Sequence, residues 1–313
     1  MESTYSQIPA ASIDEQFVLT KCDYFIDVQI WPLLDRLNPS RWLENFEEDE
    51  KRHAVHLLNS FTFFCEPFVN EMLKAAFQAL SAYVLRRDES LLNALTSWAT
   101  FVDSVIITHV TGEVPSPTDS GYAFARKARQ VLQIPEERIL GPTDALERLL
   151  SGAPRPVIFV DDFVGSGKQF IQTWRRPINT VGRARTSFER IAPLIRGARF
   201  FYCPLICTEI GYQRIRDTCP EVVLNPAHIL SRRYSALDPD SIIWPEDLKP
   251  TAVEFIRRAS ARAGIPDKNG GVNDWRGFNK LGLALAIGDS VPDATMPIFY
   301  WEQNGWKPLI RRR

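Results

Sequence analysis

Apolar positions along the chain change their period near residue 102. From about Tyr24 to Phe101 they recur at spacings of three and four, the mark of helices with one buried face. Residues 1–20 lack such a stripe and read as a loose polar arm. Asn38-Pro39-Ser40 suits a helix start ahead of Trp42 and Phe46. Ala54, Leu57, Leu58 and Phe61 form a stripe in a helix predicted over 47–64. Phe68, Met72, Ala75, Ala76 and Ala79 form another over 66–87, and Asp88-Glu89-Ser90 opens a third through Leu91, Leu92, Leu95 and Trp98. So many apolar positions need a partner surface, so these helices are expected to pack as a bundle against something else.

Beyond residue 102 short apolar runs alternate with helix-like sequence. Ser104 to Val110 is rich in β-branched residues and reads as a buried strand, followed by a Gly/Pro-rich loop from Thr111 and a helix over 122–132. Further strands are predicted at 157–160, 200–206 and 221–224, and a C-terminal pair at 281–287 and 296–300 that completes or extends the sheet. Alternating strand and helix predicts a mostly parallel, doubly wound α/β sheet covered on both faces. The expected division is a helical N-terminal region over 1–101 and an α/β domain over 102–313.

Composition narrows the class without naming it. The 313 residues are 45% hydrophobic and 24% charged, with a formal net charge of −1, so no global basic field indicates nucleic acid. No run approaches the roughly 20 apolar residues a membrane helix needs. The five cysteines, Cys22, Cys65, Cys203, Cys207 and Cys219, are odd in number and form no CxxC, which fits a reduced, cytoplasmic setting.

One segment carries chemistry. The strand Val157 to Val160 runs into Asp161-Asp162, then Phe163-Val164-Gly165-Ser166-Gly167-Lys168-Gln169, then helical sequence. Ligands of parallel α/β sheets bind at the carboxyl ends of strands. Two adjacent acids there repel unless something bridges them, and a ribose with vicinal hydroxyls or a magnesium ion would do so. Gly165 and Gly167 let the backbone approach an anion, and their N–H groups, Ser166 and the next helix N-terminus make a phosphate cradle. The order reads as ribose first, 5′-phosphate second. A P-loop reading fails, since GxxxxGK[ST] would need Gly at 162 and Ser or Thr at 169, where the chain has Asp162 and Gln169.

The run Val157 to Gln169 resembles the phosphoribosyl-diphosphate-binding motif of type I phosphoribosyltransferases. Over more of the chain the sequence is similar to the phosphoribosyltransferase-like family of bacterial conflict (anti-phage defence) systems. That wider resemblance rests on Trp42 to Phe46 with His56 to Asn59, on the Asp161–Gln169 core, and on Gly277-Phe278, Val291 to Pro297, Trp301 and Trp306 to Leu309. It implies a sheet of phosphoribosyltransferase type, with Asp161 and Asp162 on the ribose hydroxyls and Gly165, Ser166, Gly167 and Gln169 on the 5′-phosphate. Magnesium would reach Asp161 and Asp162 through the ligand rather than by direct protein ligation. For pyrophosphate the candidates are Ser120 and Gly121 at the helix start after the long loop, and Arg175, Arg176 and Arg183 of the basic insert over 175–185.

Two functions follow. The first is an enzyme transferring a ribose-5-phosphate group, or cleaving at ribose C1, from phosphoribosyl diphosphate or a nucleotide. The second is a non-catalytic nucleotide sensor or effector acting through a protein partner of the same defence operon. Gln169, where the transferases carry Ser or Thr, and the lack of an identifiable lid before Pro156 favour the second. A toxin acting on cellular nucleotides is a third class. His53 and His56 at i, i+3 spacing have no evident third metal ligand, and His109, on the strand before the long loop and near the expected active face, reads more readily as a core residue than as a site residue.

Overall fold

Short polar caps and proline breaks start most elements of the chain, and the computed structural model describes them over residues 13–88, 90–112, 120–152, 154–182, 184–288 and 290–312. Helix α1 (Glu15–Asp27) starts where the Asp14 side chain accepts from the Gln16 amide. Asn38 caps α2 (Pro39–Leu43), and α3 (Lys51–Asn59) leads to strand β1 (Thr62–Phe64). Then come α4 (Glu66–Ala79), α5 (Ser81–Val84) and α6 (Leu91–Ser104), the last capped by Ser90. The central stretch holds β2 (Ile106–His109), α7 (Ser120–Leu132), α8 (Pro142–Ser151), β3 (Pro156–Val164), α9 (Lys168–Arg175) and α10 (Phe188–Ile191). It continues through β4 (Arg199–Thr208), α11 (Glu209–Thr218), β5 (Val222–Leu224) and β6 (His228–Leu230). Helix α12 (Lys249–Ala263) and β7 (Leu285–Ile287) follow. No helix among the described residues is long and apolar enough to cross a membrane.

The chain forms two compact units, one over Glu66–Ser231 and one joining the segment up to Cys65 with the segment from Arg232. This division does not fall at residue 101, because α4 to α6 belong with the sheet. Phe101 of α6 sits edge-on to Phe201 of β4 at 5.6 Å. The Ala76 carbonyl of α4 accepts from Asn225 at 2.8 Å, and Lys127 of α7 reaches Glu66 and Asn70 of α4. Those helices cover one face of the sheet. The other face, with Val157, Phe159, Phe200 and Tyr202, is covered by apolar residues of α8 to α11, including Leu146, Phe170, Trp174, Phe188 and Ile215.

The sheet of this unit is parallel throughout, in the order β2-β3-β4-β5, with β6 also pairing β4. With helices on both faces it is a doubly wound α/β sheet, as its alternating pattern predicts. Strand β4 changes neighbour along its length: Tyr202 is the last residue opposite β5, and Ile206 the first opposite β6. Pro204, which lacks a ladder N–H, falls in the gap between the two, where its loss is tolerated.

The other unit holds a two-stranded parallel sheet of β1 and β7, Thr62 opposite Leu285 and Phe64 opposite Ile287. The C-terminal segment therefore does not extend the main sheet, and residues 296–300 are not a strand. Pro297 opens a single 3₁₀ turn over Pro297–Phe299, whose Ile298 carbonyl accepts from the indoles of Trp42 (2.9 Å) and Trp306 (3.0 Å). Strand β1 lies inside the segment predicted as helical, since Ser60 ends α3 and the Thr62 amide bonds to the Ala284 carbonyl instead of a helical partner.

Candidate functional site

Strand β3 does not stop before the acids. It continues through Asp161 and Asp162 to Val164, paired with β4 as far as Val164 opposite Cys207. Strand β2 ends earlier, at His109 opposite Val160. The acid pair thus lies in a strand, just past the point where its β2 neighbour has ended.

The two acid side chains lie within hydrogen-bonding reach of each other but differ in burial. Asp161 shares the face of Val157 and Phe159 and is 5% exposed. Its Oδ2 accepts from the Tyr202 hydroxyl at 2.9 Å and its Oδ1 from the Asp162 amide at 3.0 Å. Burial, then the charge of Asp162, pushes the Asp161 carboxyl well above the usual carboxylate range, against the pull of the Tyr202 hydrogen bond. The same burial, with the nearby Asp161 charge, raises the Tyr202 hydroxyl and pushes the Cys207 thiol up to about 12. Asp162 is half-buried.

A raised carboxyl predicts a stability that falls with pH. Below the unfolded carboxylate value near ~4 both states are protonated and the native state keeps its full stability. As pH rises, the unfolded chain releases the proton while folded Asp161 holds it, so stability is lost until the folded group also ionises. Asp161→Asn mimics the protonated acid. It is expected to melt above the wild type near ~pH 8, with an advantage that shrinks toward ~pH 4, in thermal unfolding across that range.

The turn after β3 is held from behind by α11. The Gly165 carbonyl accepts from Thr208 Oγ1 at 2.6 Å, and the Ser166 carbonyl from the Arg214 guanidinium at 2.7 Å. Thr208 also caps α11 by accepting from the Gly211 amide at 3.1 Å. Gly167, the N-cap of α9, has φ +76°, a left-handed conformation that favours glycine. A Cβ there would come within 3.0 Å of the Gly211 carbonyl oxygen. Phe163, Gly165 and Ser166 are half-buried, Val164 is buried, and Lys168 and Gln169 at the start of α9 are exposed.

The exit of β2 is pinned to the same helix. The Thr111 amide donates to Thr173 Oγ1 at 3.1 Å, and Arg176 binds the Thr111 hydroxyl and the Gly112 carbonyl. Arg176 therefore tethers the start of the loop expected to meet pyrophosphate. Arg175 points elsewhere and pairs with Glu189 of α10 at 2.8 Å. Ser120 and Gly121 form the first residues of α7, and Arg183 lies outside the described residues.

Sequence reasoning missed Tyr202, Thr208, Gly211 and Arg214 of β4 and α11. Only Tyr202 carried a visible signal, as a hydroxyl inside the otherwise apolar run Phe200 to Cys203. Of the two histidines at i, i+3 spacing, His53 shares a hydrogen bond with Thr251 Oγ1 at 3.0 Å and stacks on Phe255, while the buried His56 Nε2 has no hydrogen-bond partner among the described residues. Among the described residues no group of three or more His, Cys, Asp or Glu side chains could hold a metal ion.

A two-faced parallel sheet whose third strand passes through an acid pair into a glycine turn and helix defines a phosphoribosyltransferase-like protein. The chain belongs to the PRTase-CE family, whose model matches residues 39–312 and so spans parts of both compact units. No curated protein matches the sequence. Among solved structures, the AQ2163 protein from Aquifex aeolicus is similar at 12% identity and a TM-score of 0.29, over 62% of this chain and 82% of that one.

Proposed function

We propose that the chain binds the ribose-5-phosphate part of phosphoribosyl diphosphate or of a nucleotide at the turn between β3 and α9. The observation that supports this most directly is the orientation of that turn. The carbonyls of Gly165 and Ser166 are taken up by Thr208 and Arg214 of α11. In a peptide unit the N–H points away from the C=O, so the amide groups of the turn and of the first turn of α9 are directed to the opposite side. There they form a cradle for a phosphate, with the end of β3 that carries the acid pair one step back, where the ribose would lie.

Magnesium fits this site only as part of the ligand. Direct chelation by both acids does not suit the geometry, because Asp161 is only 5% exposed and its oxygens are turned to Tyr202 and the Asp162 amide. The ion would arrive on a diphosphate, on the side of Asp162. An enzyme built this way would transfer or cleave at ribose C1, where positive charge develops on the sugar ring.

A second reading is a nucleotide sensor or effector that passes its state to a protein partner in an anti-phage defence system, the setting suggested by the family resemblance. The commitment of Asp161 to Tyr202 favours it, since the acid pair then offers ribose less than two free carboxylates.

Calorimetric titration with phosphoribosyl diphosphate and Mg²⁺ tests the shared claim. Saturable binding, competed by ribose 5-phosphate, is expected. Absence of heat at millimolar ligand would remove the ribose-phosphate reading. Diphosphate release in the presence of a nucleobase panel then separates the enzyme from the sensor.

A further inference from the structure

The sequence presents Asp161 and Asp162 as two equivalent carboxylates, but the fold gives them different surroundings. Asp161 is closed in at 5% exposure, whereas Asp162, whose side chain stays within hydrogen-bonding reach of Asp161, is half-buried. Both oxygens of Asp161 are engaged, Oδ2 by the Tyr202 hydroxyl at 2.9 Å and Oδ1 by the Asp162 amide at 3.0 Å. Each oxygen keeps a further lone pair, but at 5% exposure beside the stacked Tyr202 and Phe170 rings a ribose hydroxyl has no open approach to it.

The Asp161 bonds lead directly to the phosphate turn. The ring of Tyr202 lies flat on Phe170, with centroids 4.0 Å apart and planes 9° apart. Phe170 belongs to the first turn of α9, directly after the Gly165–Gly167 turn. Phe159, two residues before Asp161, meets the same Phe170 edge-on at 5.4 Å. One contact chain therefore joins Asp161 to Tyr202, to Phe170 and to the helix start that would hold phosphate, while the second bond fixes the backbone of Asp162.

We propose that Asp161 is a positioning residue that orients the Asp162 backbone and the α9 N-terminus, and that Asp162 alone is the carboxylate that meets the ribose. This rests on the ribose-phosphate reading above and assigns different work to the two acids within it.

The signature of a positioning residue is rescue by an isosteric amide. At position 161 an amide keeps a carbonyl for the Asp162 amide and an N–H for the Tyr202 oxygen, whereas at position 162 an amide loses the charge that grips a hydroxyl. Two measurements on the full chain test this. In calorimetric titration with phosphoribosyl diphosphate and Mg²⁺, Asp161→Asn is expected within about threefold of the wild type, and Asp162→Asn weaker by about tenfold or more. In amide hydrogen exchange without ligand, Asp161→Ala is expected to speed exchange across residues 162–171 by about tenfold, Asp161→Asn to leave it near wild type, and Asp162→Asn likewise.

Equal loss of affinity in Asp161→Asn and Asp162→Asn, with both folded, overturns the inference and leaves the ribose-phosphate reading standing. If the wild type itself does not bind, that reading falls and the exchange measurement decides alone. Unchanged exchange over 162–171 in Asp161→Ala then overturns the positioning role.

Discussion

Gly211→Ala is expected to destabilise the protein by about 2–4 kcal/mol and to abolish ligand binding at the β3–α9 turn. Gly211 sits in the first turn of α11, where alanine would ordinarily gain about 1 kcal/mol in helix propensity. The gain is outweighed by sterics. A Cβ at this position would lie 2.4 Å from the Gly165 carbonyl oxygen and 2.9 Å from Val164 Cγ1. The carbonyl has little room to retreat, since Thr208 Oγ1, at the N-cap of the same helix, holds it at 2.6 Å. Either α11 moves off the sheet or the turn deforms, and both break the same cradle. Gly182→Ala is the control: its φ of +68° carries strain but no atom lies within 4 Å, so a cost of about 1 kcal/mol is expected there. Thermal and urea unfolding of the two variants measure the contrast. Similar melting of Gly211→Ala and the wild type would show that the turn and α11 are not interlocked.

The second large effect belongs to the other unit. Asp274 is fully shielded from solvent, and accepts from the Lys268 amide at 2.7 Å, the Arg276 amide at 3.0 Å and Arg276 Nε at 2.8 Å. Burial works to raise its carboxyl, but the hydrogen bonds from Arg276 and from the backbone of Gly270, Arg276 and Lys268 outweigh it and hold the group well below the usual carboxylate range. A depressed carboxyl contributes stability that is present above the unfolded value near ~4 and is lost as pH falls through the native one. Asp274→Ala strands buried donors and is expected to cost about 3–5 kcal/mol at neutral pH. It should also flatten acid unfolding relative to the wild type, because the group that takes up the proton has gone. Unfolding followed from neutral to acid pH reads both effects, and an unaltered acid limb in the variant would contradict the assignment.

The architecture was legible wherever the period of apolar residues was long and regular. The runs at Val157, Phe200 and Val222 became neighbouring parallel strands because β-branched and aromatic residues buried on both faces have few other solutions. Shorter features were not legible. Thr62 to Phe64 are strand-favouring but too few to stand out beside the helical stripe before them, and are drawn into a sheet by β7, more than two hundred residues later. Met296 to Tyr300 look like a strand by composition, yet Pro297 and the Trp42 and Trp306 indoles shape them into a turn.

At the candidate site the order of acid pair, Gly165-Ser166-Gly167 and helix start was readable because it follows directly in sequence from the end of one strand to the start of one helix. The different surroundings of Asp161 and Asp162 were not, since they depend on Tyr202 in the next strand and on Phe170 stacking above it. Arg176 likewise reads as a free anion clamp in sequence, but the fold directs it to Thr111 and Gly112 at the exit of β2.

A crystal structure with ribose 5-phosphate bound tests the central claim most directly. The phosphate is expected on the amides of Gly165 to Lys168, with a ribose hydroxyl on Asp162 and Asp161 still bonded to Tyr202. A ligand seated elsewhere, with the turn left empty, would contradict it.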